Sequence, residues 1–316
     1  ALGPHPHPVP EGRRAAAVVR LPLRRVVPAD VPPRRRADRS PGAVRRRVGH
    51  DLRPRPLRRE CQPEMAMTST PEPRVAVLVV AYNAEETLAA VLDRIPADFA
   101  ARIASVIVCD DASTDATHDV ATTYQRGSSL PLTIVRHPEN LGYGGNQKFG
   151  YRWAIDHGMD VVVLLHGDGQ YAPEELPRMV APIVEDRADV VFGSRMMRRS
   201  DALRGGMPLY KFVGNTCLTA TQNALAGVRL TEWHSGYRAY RTSALAGVAF
   251  EANSDEFDFD TQIILQMIEA GRRIHEIPIP TFYGDEISRV NSIRYGLQIL
   301  GHTLRFTRRR RRASAG

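Results

Sequence analysis

His166, Asp168 and Gln170 alternate with two glycines directly after an apolar run at residues 161–165. Side chains that alternate along an extended segment point to the same side, so the three polar groups are expected to face one ligand. An imidazole nitrogen, a carboxylate and an amide oxygen are candidate ligands for Mg²⁺ or Mn²⁺. A single Asp between glycines is often only a turn, but its position after a buried strand favours a metal site.

Two adjacent carboxylates, Asp110 and Asp111, follow a second apolar run. The next residues, 113–115, are explained by a helix start, because Ser or Thr as N-cap and Asp in the first turn satisfy free backbone amides. That interpretation does not explain the adjacent pair, whose like charges repel. One of the two carboxylates is therefore expected to accept a hydrogen bond from a ligand such as a nucleobase N–H.

Two arginines lie in loops that contain Gly and Ser. Arg195 ends the sequence Gly-Ser-Arg, and Arg238 ends the sequence Ser-Gly-Tyr-Arg. Because the guanidinium fork suits phosphate oxygens, both are candidate phosphate ligands. A surface salt bridge is the alternative for either of them.

From Arg74 onward, β-branched apolar runs alternate with segments of helical periodicity. The pattern predicts strands at 75–81, 106–109, 132–135, 161–165 and 190–192, and helices at 85–95, 115–124, 144–156 and 174–185. This alternation is typical of an α/β domain, with a mostly parallel sheet and helices on both faces. Ligands of such sheets bind at the carboxyl ends of the strands. Tyr82 and Asn83, the carboxylate pair and the loop with Asp168 all follow strand ends and are expected to converge.

The charge of the chain is unevenly distributed. The net charge is +8, yet residues 1–66 hold 16 arginines against 6 acidic residues, and residues 308–312 are five further arginines. The middle of the chain is therefore acidic. That distribution argues against nucleic acid as a partner of the folded part and suits a site for a divalent cation.

The distribution of charge and proline divides the chain into three segments. Residues 1–66 contain 12 of the 23 prolines and show no periodicity, so they are predicted to be disordered. They are either a basic tether or sequence upstream of a natural start at Met65 or Met67. Residues 67–307 are predicted to fold as one domain that includes an amphipathic C-terminal helix, and residues 308–316 to form a basic tail. No apolar run reaches the ~20 residues of a membrane span, so a soluble or peripheral protein is expected.

The order and spacing of these motifs resemble family 2 glycosyltransferases of the GT-A fold, and among them the dolichol- or polyprenyl-phosphate sugar synthases. The resemblance covers about residues 74–305. It rests on the segments Val79-Val80-Ala81-Tyr82-Asn83, 110–115, Asn140-Leu141-Gly142, 166–170, Gly193-Ser194-Arg195, Ser235-Gly236-Tyr237-Arg238 and Glu276-Ile277-Pro278-Ile279. It implies a metal-dependent enzyme that transfers a sugar, with inversion, from a UDP- or GDP-sugar.

The resemblance also implies roles for individual residues. The residues near the nucleoside would be Tyr82, Asn83, Asp110 and Asp111. The residues near donor or acceptor phosphates would be Arg195, Lys211, Arg238 and Arg289. Asp168 and Gln170 would bind the metal.

One position departs from the family pattern, which usually has Asp where this chain has His166. A neutral imidazole removes one negative charge from the metal loop and favours Mn²⁺ over Mg²⁺. Since Asp168 and Gln170 remain, a metal site is still expected. The substitution also motivates a non-enzymatic alternative, a silent nucleotide-sugar-binding protein.

The acceptor decides whether the enzyme needs a general base. A polyprenyl phosphate is ionised at neutral pH and can attack unaided, whereas a saccharide hydroxyl needs a basic group within hydrogen-bond reach. Asp260, Asp258 and His234 are the candidate bases. The leading prediction is transfer to a polyprenyl phosphate, and transfer to a saccharide hydroxyl in cell-surface glycan assembly is the alternative.

The C-terminal helix favours the lipid acceptor. Ile293, Leu297, Leu300 and Leu304 form one helical stripe, and arginines flank and follow it. An apolar face beside a basic cluster is typical of a helix at an anionic membrane surface, and a helix packed on the sheet is the alternative. We therefore expect a peripheral protein on the cytoplasmic face of the membrane.

Overall fold

A computed structural model describes residues 72–281 and 292–313 of the chain, which belong to one compact unit spanning Met67–Gly316. The predicted disordered segment at 1–66 and the predicted phosphate ligand Arg289 lie outside the described residues. Strands and helices alternate along most of the described chain, as the sequence pattern predicts.

One seven-stranded sheet forms the centre of the domain. Its strands are β1 (Val75–Ala81), β2 (Ile103–Asp110), β3 (Leu132–Arg136), β4 (Val161–His166), β5 (Val190–Ser194), β6 (Arg238–Arg241) and β7 (Ile274–Pro278). Their order is β3-β2-β1-β4-β6-β5-β7. β6 runs antiparallel to β4 and β5, and the other neighbouring pairs are parallel. The predicted, mostly parallel sheet is confirmed.

The helices surround this sheet. The described residues contain α1 (Leu88–Asp93), α2 (Ala97–Ala100), α3 (Thr117–Gly127), α4 (Gly142–Asp156), α5 (Leu176–Val184), α6 (Arg199–Arg204), α7 (Leu209–Ala226), α8 (Thr242–Ala246), α9 (Phe259–Glu269) and α10 (Ser292–Ala313). Short 3₁₀ helices lie at Pro173–Glu175 and Phe250–Ala252. α3 begins later than predicted because Asp115 precedes it and accepts the backbone N–H of Thr117 at 3.0 Å.

Helices cover both faces because alternate residues of a strand point to opposite sides of the sheet. In β1, Val77 belongs to the apolar cluster that contains residues of α1 and α5, and Leu78 belongs to the cluster that contains residues of α4 and α9. Both side chains are fully buried. A continuous apolar run is therefore what this central parallel strand requires.

α10 continues through residues 308–312, so the arginine run at which the predicted basic tail begins is helical. One face of this helix is anchored, because Ile299 and Phe306 are buried and the helix packs on α7 and α9. The guanidinium of Arg310 also donates to the backbone oxygen of Ala226, at the end of α7, at 3.0 Å. These contacts hold the arginine run in helical form.

Two leucines of the predicted apolar stripe of α10 lie on its outer face. Leu297 is 69% exposed and Leu304 is 41% exposed, whereas the buried face carries Ile299 and Thr303. The helix thus packs on the domain, as one of the two interpretations predicts, and also presents leucines to solvent. Contact with a membrane stays a prediction. In the described ranges, none of the helices has the length and apolar character that crossing a bilayer requires.

Candidate functional site

A cleft of about 960 Å³ opens where the central strands end. The predicted site residues that line it are Tyr82, Asn83, Asp111, His166, Asp168, Gln170, Arg195, Lys211, His234 and Asp260. The structure therefore brings together side chains from the ends of β1, β2 and β4. This agrees with the rule that ligands of such sheets bind at the carboxyl ends of the strands, called the strand-end rule below. Asp110 and Arg238 lie outside the lining of this cleft, and their positions are described below.

The loop after β1 gives the cleft an aromatic ring on a fixed turn. Tyr82 is 40% exposed, so its ring is accessible for stacking on a base. Asn83 has a φ of 51°, a conformation that Asn adopts more readily than most residues. Its backbone N–H donates to Ser113 Oγ at 2.9 Å, and its Oδ1 accepts the backbone N–H of Thr114 at 2.9 Å. Asn83 thereby ties the loop after β1 to the loop after β2.

Asp110 lies outside the lining of the cleft, although a nucleoside contact was predicted for it. Its side chain is fully buried, and Oδ1 accepts the backbone N–H of Ser113 at 3.0 Å. Its Oδ2 lies 3.6 Å from Nε of Arg136. The carboxylate therefore closes the turn after β2 through Oδ1, while Oδ2 has no hydrogen-bond partner among the described residues.

Asp111 lines the cleft and holds the start of α4 in place. Its Oδ1 accepts the backbone N–H of Leu141 at 2.7 Å, and its Oδ2 accepts that of Gly142 at 3.1 Å. Burial raises the pKa of Asp111, although these backbone bonds oppose the rise. Each oxygen retains acceptor capacity for a ligand.

The loop after β4 is a turn, not the extended segment that the alternating pattern suggested. Gly169 has a φ of 78°, which is strained for a residue with a Cβ. Asp168 Oδ1 accepts the backbone N–H of Gln170 at 3.0 Å across this turn. His166, Asp168 and Gln170 all line the cleft, so the predicted convergence is present although its predicted cause is wrong.

His166 is the last residue of β4 and is enclosed by other side chains. Its Nε2 lies 3.3 Å from the hydroxyl oxygen of Tyr143, and its ring meets that of Tyr171 edge-on at a centroid distance of 4.9 Å. Burial lowers the pKa of His166 because it disfavours the charged imidazolium. The imidazole is therefore neutral at pH 7, which is the form that binds metals.

The cleft residues fit a divalent cation that is bound partly by protein side chains and partly by the oxygens of a donor diphosphate. Across residues 72–281 and 292–313, no three His, Cys, Asp or Glu side chains form a metal site by themselves. Mg²⁺, however, usually binds through one or two carboxylates and the phosphates of a substrate, and Asp168 supplies one carboxylate beside Gln170 and His166. Nε2 of His234 is also buried in the cleft wall without a hydrogen-bond partner among the described residues.

Arg195 reaches the cleft from the end of β5 and is held by a buried carboxylate. Its Nε and Nη2 lie 3.0 Å and 2.5 Å from Oε1 of Glu232, and Nη2 also donates to the backbone oxygen of His234 at 3.0 Å. Burial opposes ionisation of Glu232, but Arg195 prevails and lowers the pKa of that carboxyl. The guanidinium is thus fixed before any ligand binds, with 14% of its side chain exposed.

Arg238 lies beneath the cleft, which corrects the predicted contact with phosphates. It is 1% exposed, and its guanidinium donates to the backbone oxygens of Trp233, Ser235 and Asp260 at 2.9 to 3.1 Å. Its Nη2 also lies 3.4 Å from Oδ2 of Asp260. A buried charge is tolerated only with such partners. Arg238 therefore holds Asp260 and the loop before β6 in position.

Asp260 faces the cleft from α9 and already accepts two further hydrogen bonds. Its Oδ2 accepts the Tyr143 hydroxyl at 3.0 Å, and its Oδ1 accepts Nε2 of Gln147 at 3.3 Å. Tyr143 and Gln147 lie one turn apart on α4, so these bonds join α4 to α9 at the cleft. Neither residue is among the predicted ones, although both closely follow the segment Asn140-Leu141-Gly142.

The opposite wall of the cleft is formed by α7 and α10, which contribute Lys211 and Tyr295. The hydroxyl of Tyr295 lies 3.2 Å from Nδ1 of His234. Burial lowers the pKa of His234 to about 4, so this imidazole is neutral at pH 7. Asp258, the other candidate base, lies outside the cleft lining and contacts His302 instead.

Sequence comparison identifies relatives with related activities. The profile described as glycosyl transferase family 2 matches residues 76–248, more than half of the chain. An undecaprenyl-phosphate mannosyltransferase of Micrococcus luteus is 32% identical over 216 residues, which cover 68% of this chain and 85% of that protein. A UDP-N-acetylglucosamine–dolichyl-phosphate N-acetylglucosaminyltransferase of Methanococcus voltae is 26% identical over 237 residues, which cover 71% of this chain and 92% of that protein.

The fold also has solved counterparts. Glucosyl-3-phosphoglycerate synthase of Mycobacterium tuberculosis, crystallised with Mn²⁺, uridine diphosphate and phosphoglyceric acid, matches with a TM-score of 0.57 and 18% identity. The match covers 74% of this chain and 78% of that chain, and it establishes the GT-A fold. The profile match and the fold agree with the resemblance seen in the motifs, and the chain belongs to glycosyl transferase family 2.

Proposed function

We propose that the chain is a metal-dependent, inverting glycosyltransferase that moves a sugar from a UDP- or GDP-sugar to a polyprenyl phosphate at the cytoplasmic face of a membrane. The observation that carries the proposal is a single cleft lined by Asp168, Arg195 and Lys211. A donor diphosphate and an acceptor phosphate both require cationic partners, and this cleft supplies them beside a candidate metal ligand. The named relatives of Micrococcus luteus and Methanococcus voltae use acceptors of this class.

The donor half of the cleft is the part beside β1 and β4. Tyr82 would stack on the base, and Asp168, with Gln170 and His166, would hold a divalent cation. Such a cation stabilises the negative charge that develops on the diphosphate leaving group. Arg195 adds a positive group that Glu232 has already oriented, so little side-chain entropy is lost when a phosphate binds.

The state of Asp260 supports a phosphate acceptor. Its oxygens accept hydrogen bonds from Tyr143 and Gln147, and Arg238 lies 3.4 Å away. A carboxylate held in this way is a poor general base, because removal of a proton from a hydroxyl would have to compete with these partners. An ionised phosphate acceptor needs no base, so Asp260 would orient its neighbours and would not take a proton.

An exposed apolar surface supports contact with a membrane. This apolar patch consists of Leu209, Tyr210 and Val213 of α7 and Leu297 of α10, which are 68%, 70%, 50% and 69% exposed. Tyr210 also lines the cleft, and α7 packs on α10. Exposed apolar side chains of this size typically mark a binding surface, and the exposed arginines of α10 suit anionic lipid headgroups.

The test is release of nucleoside diphosphate by the full chain. A panel of UDP- and GDP-sugars would be supplied with Mn²⁺ or Mg²⁺, with and without a short-chain polyprenyl phosphate. We expect release that requires the lipid phosphate and that Asp168→Ala lowers by about 100-fold or more. Asp156→Ala, which changes an exposed carboxylate at the end of α4, is the matched control and should leave the rate unchanged.

The other outcomes name the alternatives. Asp260 lies in the cleft and is a candidate base for a saccharide hydroxyl. A hydroxyl acceptor would be indicated if release of nucleoside diphosphate requires a saccharide, does not depend on the lipid phosphate and is abolished by Asp260→Asn. Binding of a nucleotide-sugar without release under any of these conditions would indicate a silent binding protein.

A further inference from the structure

The hydroxyl of Tyr143 lies between two groups that the proposed mechanism uses. It is 3.0 Å from Oδ2 of Asp260 and 3.3 Å from Nε2 of His166. The Tyr143 ring is fixed by stacking on Phe257, with a centroid distance of 5.0 Å and an angle of 23° between the rings. A tyrosine hydroxyl carries one hydrogen at neutral pH, so Tyr143 has one hydrogen to donate.

The direction of each hydrogen bond follows from the partners. The Asp260 carboxylate, paired with Arg238, can only accept. The Tyr143 hydroxyl donates to Asp260, as the shorter of its two contacts indicates, so its oxygen can only accept from His166. A neutral imidazole has one N–H, and in His166 that hydrogen must then be on Nε2.

The surroundings leave little room for another arrangement. A Cβ at Gly236 would lie 2.7 Å from Cε1 and Nε2 of His166 and 2.8 Å from the Tyr143 hydroxyl. Glycine at this position is therefore what allows the His166 ring and the Tyr143 hydroxyl to meet. Tyr171 holds the other side of the imidazole through an edge-on ring contact, and its hydroxyl accepts the backbone N–H of Gly236 at 2.7 Å.

We propose that Tyr143 is a positioning residue that fixes His166 as the Nε2–H tautomer, so that Nδ1 offers its lone pair to the divalent cation that accompanies the donor diphosphate. This inference rests on the proposed function. It follows a general pattern in which a metal-binding histidine donates its other ring N–H to a partner that sets its orientation. It also gives a physical basis for His166 in place of the usual Asp. The hydrogen bonds from Asp260 through Tyr143 to His166 hold the neutral imidazole so that one nitrogen is available to the metal.

The first test reads the tautomer directly, without metal or substrate. In the full chain labelled with ¹⁵N-histidine at neutral pH, the His166 resonances are identified by their loss in His166→Asn. We expect a protonated Nε2 and an unprotonated Nδ1 in the native protein. In Tyr143→Phe the ¹⁵N chemical shifts of the two ring nitrogens should move towards the average of the two tautomers, because the acceptor for Nε2–H is gone. A protonated Nδ1 in the native protein would overturn the proposal.

The second test measures the affinity for Mn²⁺ by electron paramagnetic resonance, with UDP and with GDP in turn. Loss of an orienting partner typically lowers metal affinity by about tenfold or more, and we expect this for Tyr143→Phe and for Gly236→Ala. Tyr124→Phe is the matched control, because it removes a tyrosine–aspartate bond of 2.8 Å on α3, outside the cleft. It should bind Mn²⁺ like the native protein.

Two results would overturn the metal half of the proposal. One is an unchanged tautomer and an unchanged Mn²⁺ affinity in Tyr143→Phe, and the other is absence of Mn²⁺ binding by the native chain with both nucleotides. These readouts are independent of the acceptor. If the tautomer and the Mn²⁺ affinity behave as expected but no sugar reaches a polyprenyl phosphate, the proposed acceptor fails while the role of Tyr143 stands.

Discussion

Nε2 of His302 lies 2.7 Å from Oδ2 of Asp258, the residue before α9, and this contact joins α10 to the start of α9. Asp258 is 5% exposed, and its Oδ1 has no hydrogen-bond partner among the described residues. His302 is therefore a main partner of a buried carboxylate, with Gln262 Nε2 a weaker one at 3.3 Å.

Replacement of this histidine should loosen the C-terminal helix. We expect His302→Ala to lower the free energy of unfolding by about 1–3 kcal/mol, because a buried acceptor loses its closest donor. Urea denaturation monitored by circular dichroism measures the loss. Arg309→Ala is the control on the same helix, since it breaks only the exposed contact with Glu269 and should cost about 1 kcal/mol or less. Equal losses in the two variants would contradict the role given to His302.

Removal of the buried Arg238 should be more damaging. Arg238→Met leaves three backbone oxygens and the Asp260 carboxylate without their cation, and we expect a loss of about 3–5 kcal/mol in the free energy of unfolding. Asp260→Asn in the same chain should restore part of it, because the uncompensated charge is then gone. Arg94→Met, which breaks a more exposed pair with Glu174, is the control and should stay within about 1 kcal/mol of the native value. If the losses in the free energy of unfolding from Arg238→Met and Asp260→Asn simply add in the double variant, the pairing of Arg238 with Asp260 is contradicted.

The pair formed by Asp189 and Arg273 should make stability depend on pH in acid. Hydrogen bonds from Arg273 lower the pKa of Asp189 from its ordinary value of 3.8 to about 2. The contribution of Asp189 is thus complete above about pH 3.8 and is lost as the pH falls from there through about 2. The stability difference between the native chain and Asp189→Asn, measured by urea denaturation, should therefore shrink across that range. A stability difference that stays constant across this pH range would refute the assignment. Asp98→Asn, on the short helix α2, serves as the control.

The apolar patch of Leu209, Tyr210, Val213 and Leu297 should govern binding to lipid. Leu297→Glu removes apolar burial worth about 1.5–3 kcal/mol, so we expect binding to anionic vesicles to weaken by about tenfold or more. Co-sedimentation with vesicles of phosphatidylglycerol and phosphatidylcholine gives the affinity. Thr123→Glu, an exposed change on α3 that adds the same charge, is the control. Vesicle binding that is equal in the two variants would remove this surface from the membrane contact.

The sheet and the location of the cleft could be predicted from the sequence because both depend on local patterns. The buried run of β4 marks a central strand, and the strand-end rule then places Asp168 at the cleft. Neither step requires knowledge of distant contacts.

The partners of the charged side chains could not be predicted in this way. Tyr143 and Asp260 are 117 residues apart in sequence, and their bond depends on how α9 packs on α4. The same holds for Arg238, whose position in a Ser-Gly-Tyr-Arg loop suggests a phosphate ligand although its side chain turns inwards. Residue type and loop context indicate that a charge is functional, but only the tertiary packing shows which side of the backbone it occupies.

The continuity of α10 has a consequence for distance. Tyr295, in the cleft wall, and Arg308, at the start of the arginine run, belong to one helix, and at a rise of 1.5 Å per residue they are about 20 Å apart along its axis. A rod of this kind cannot shorten or bend easily. A surface that binds both the exposed Leu297 and the arginines would therefore be contacted along this helix, so that the mouth of the cleft, beside Tyr210 and Tyr295, is held at a fixed place on that surface.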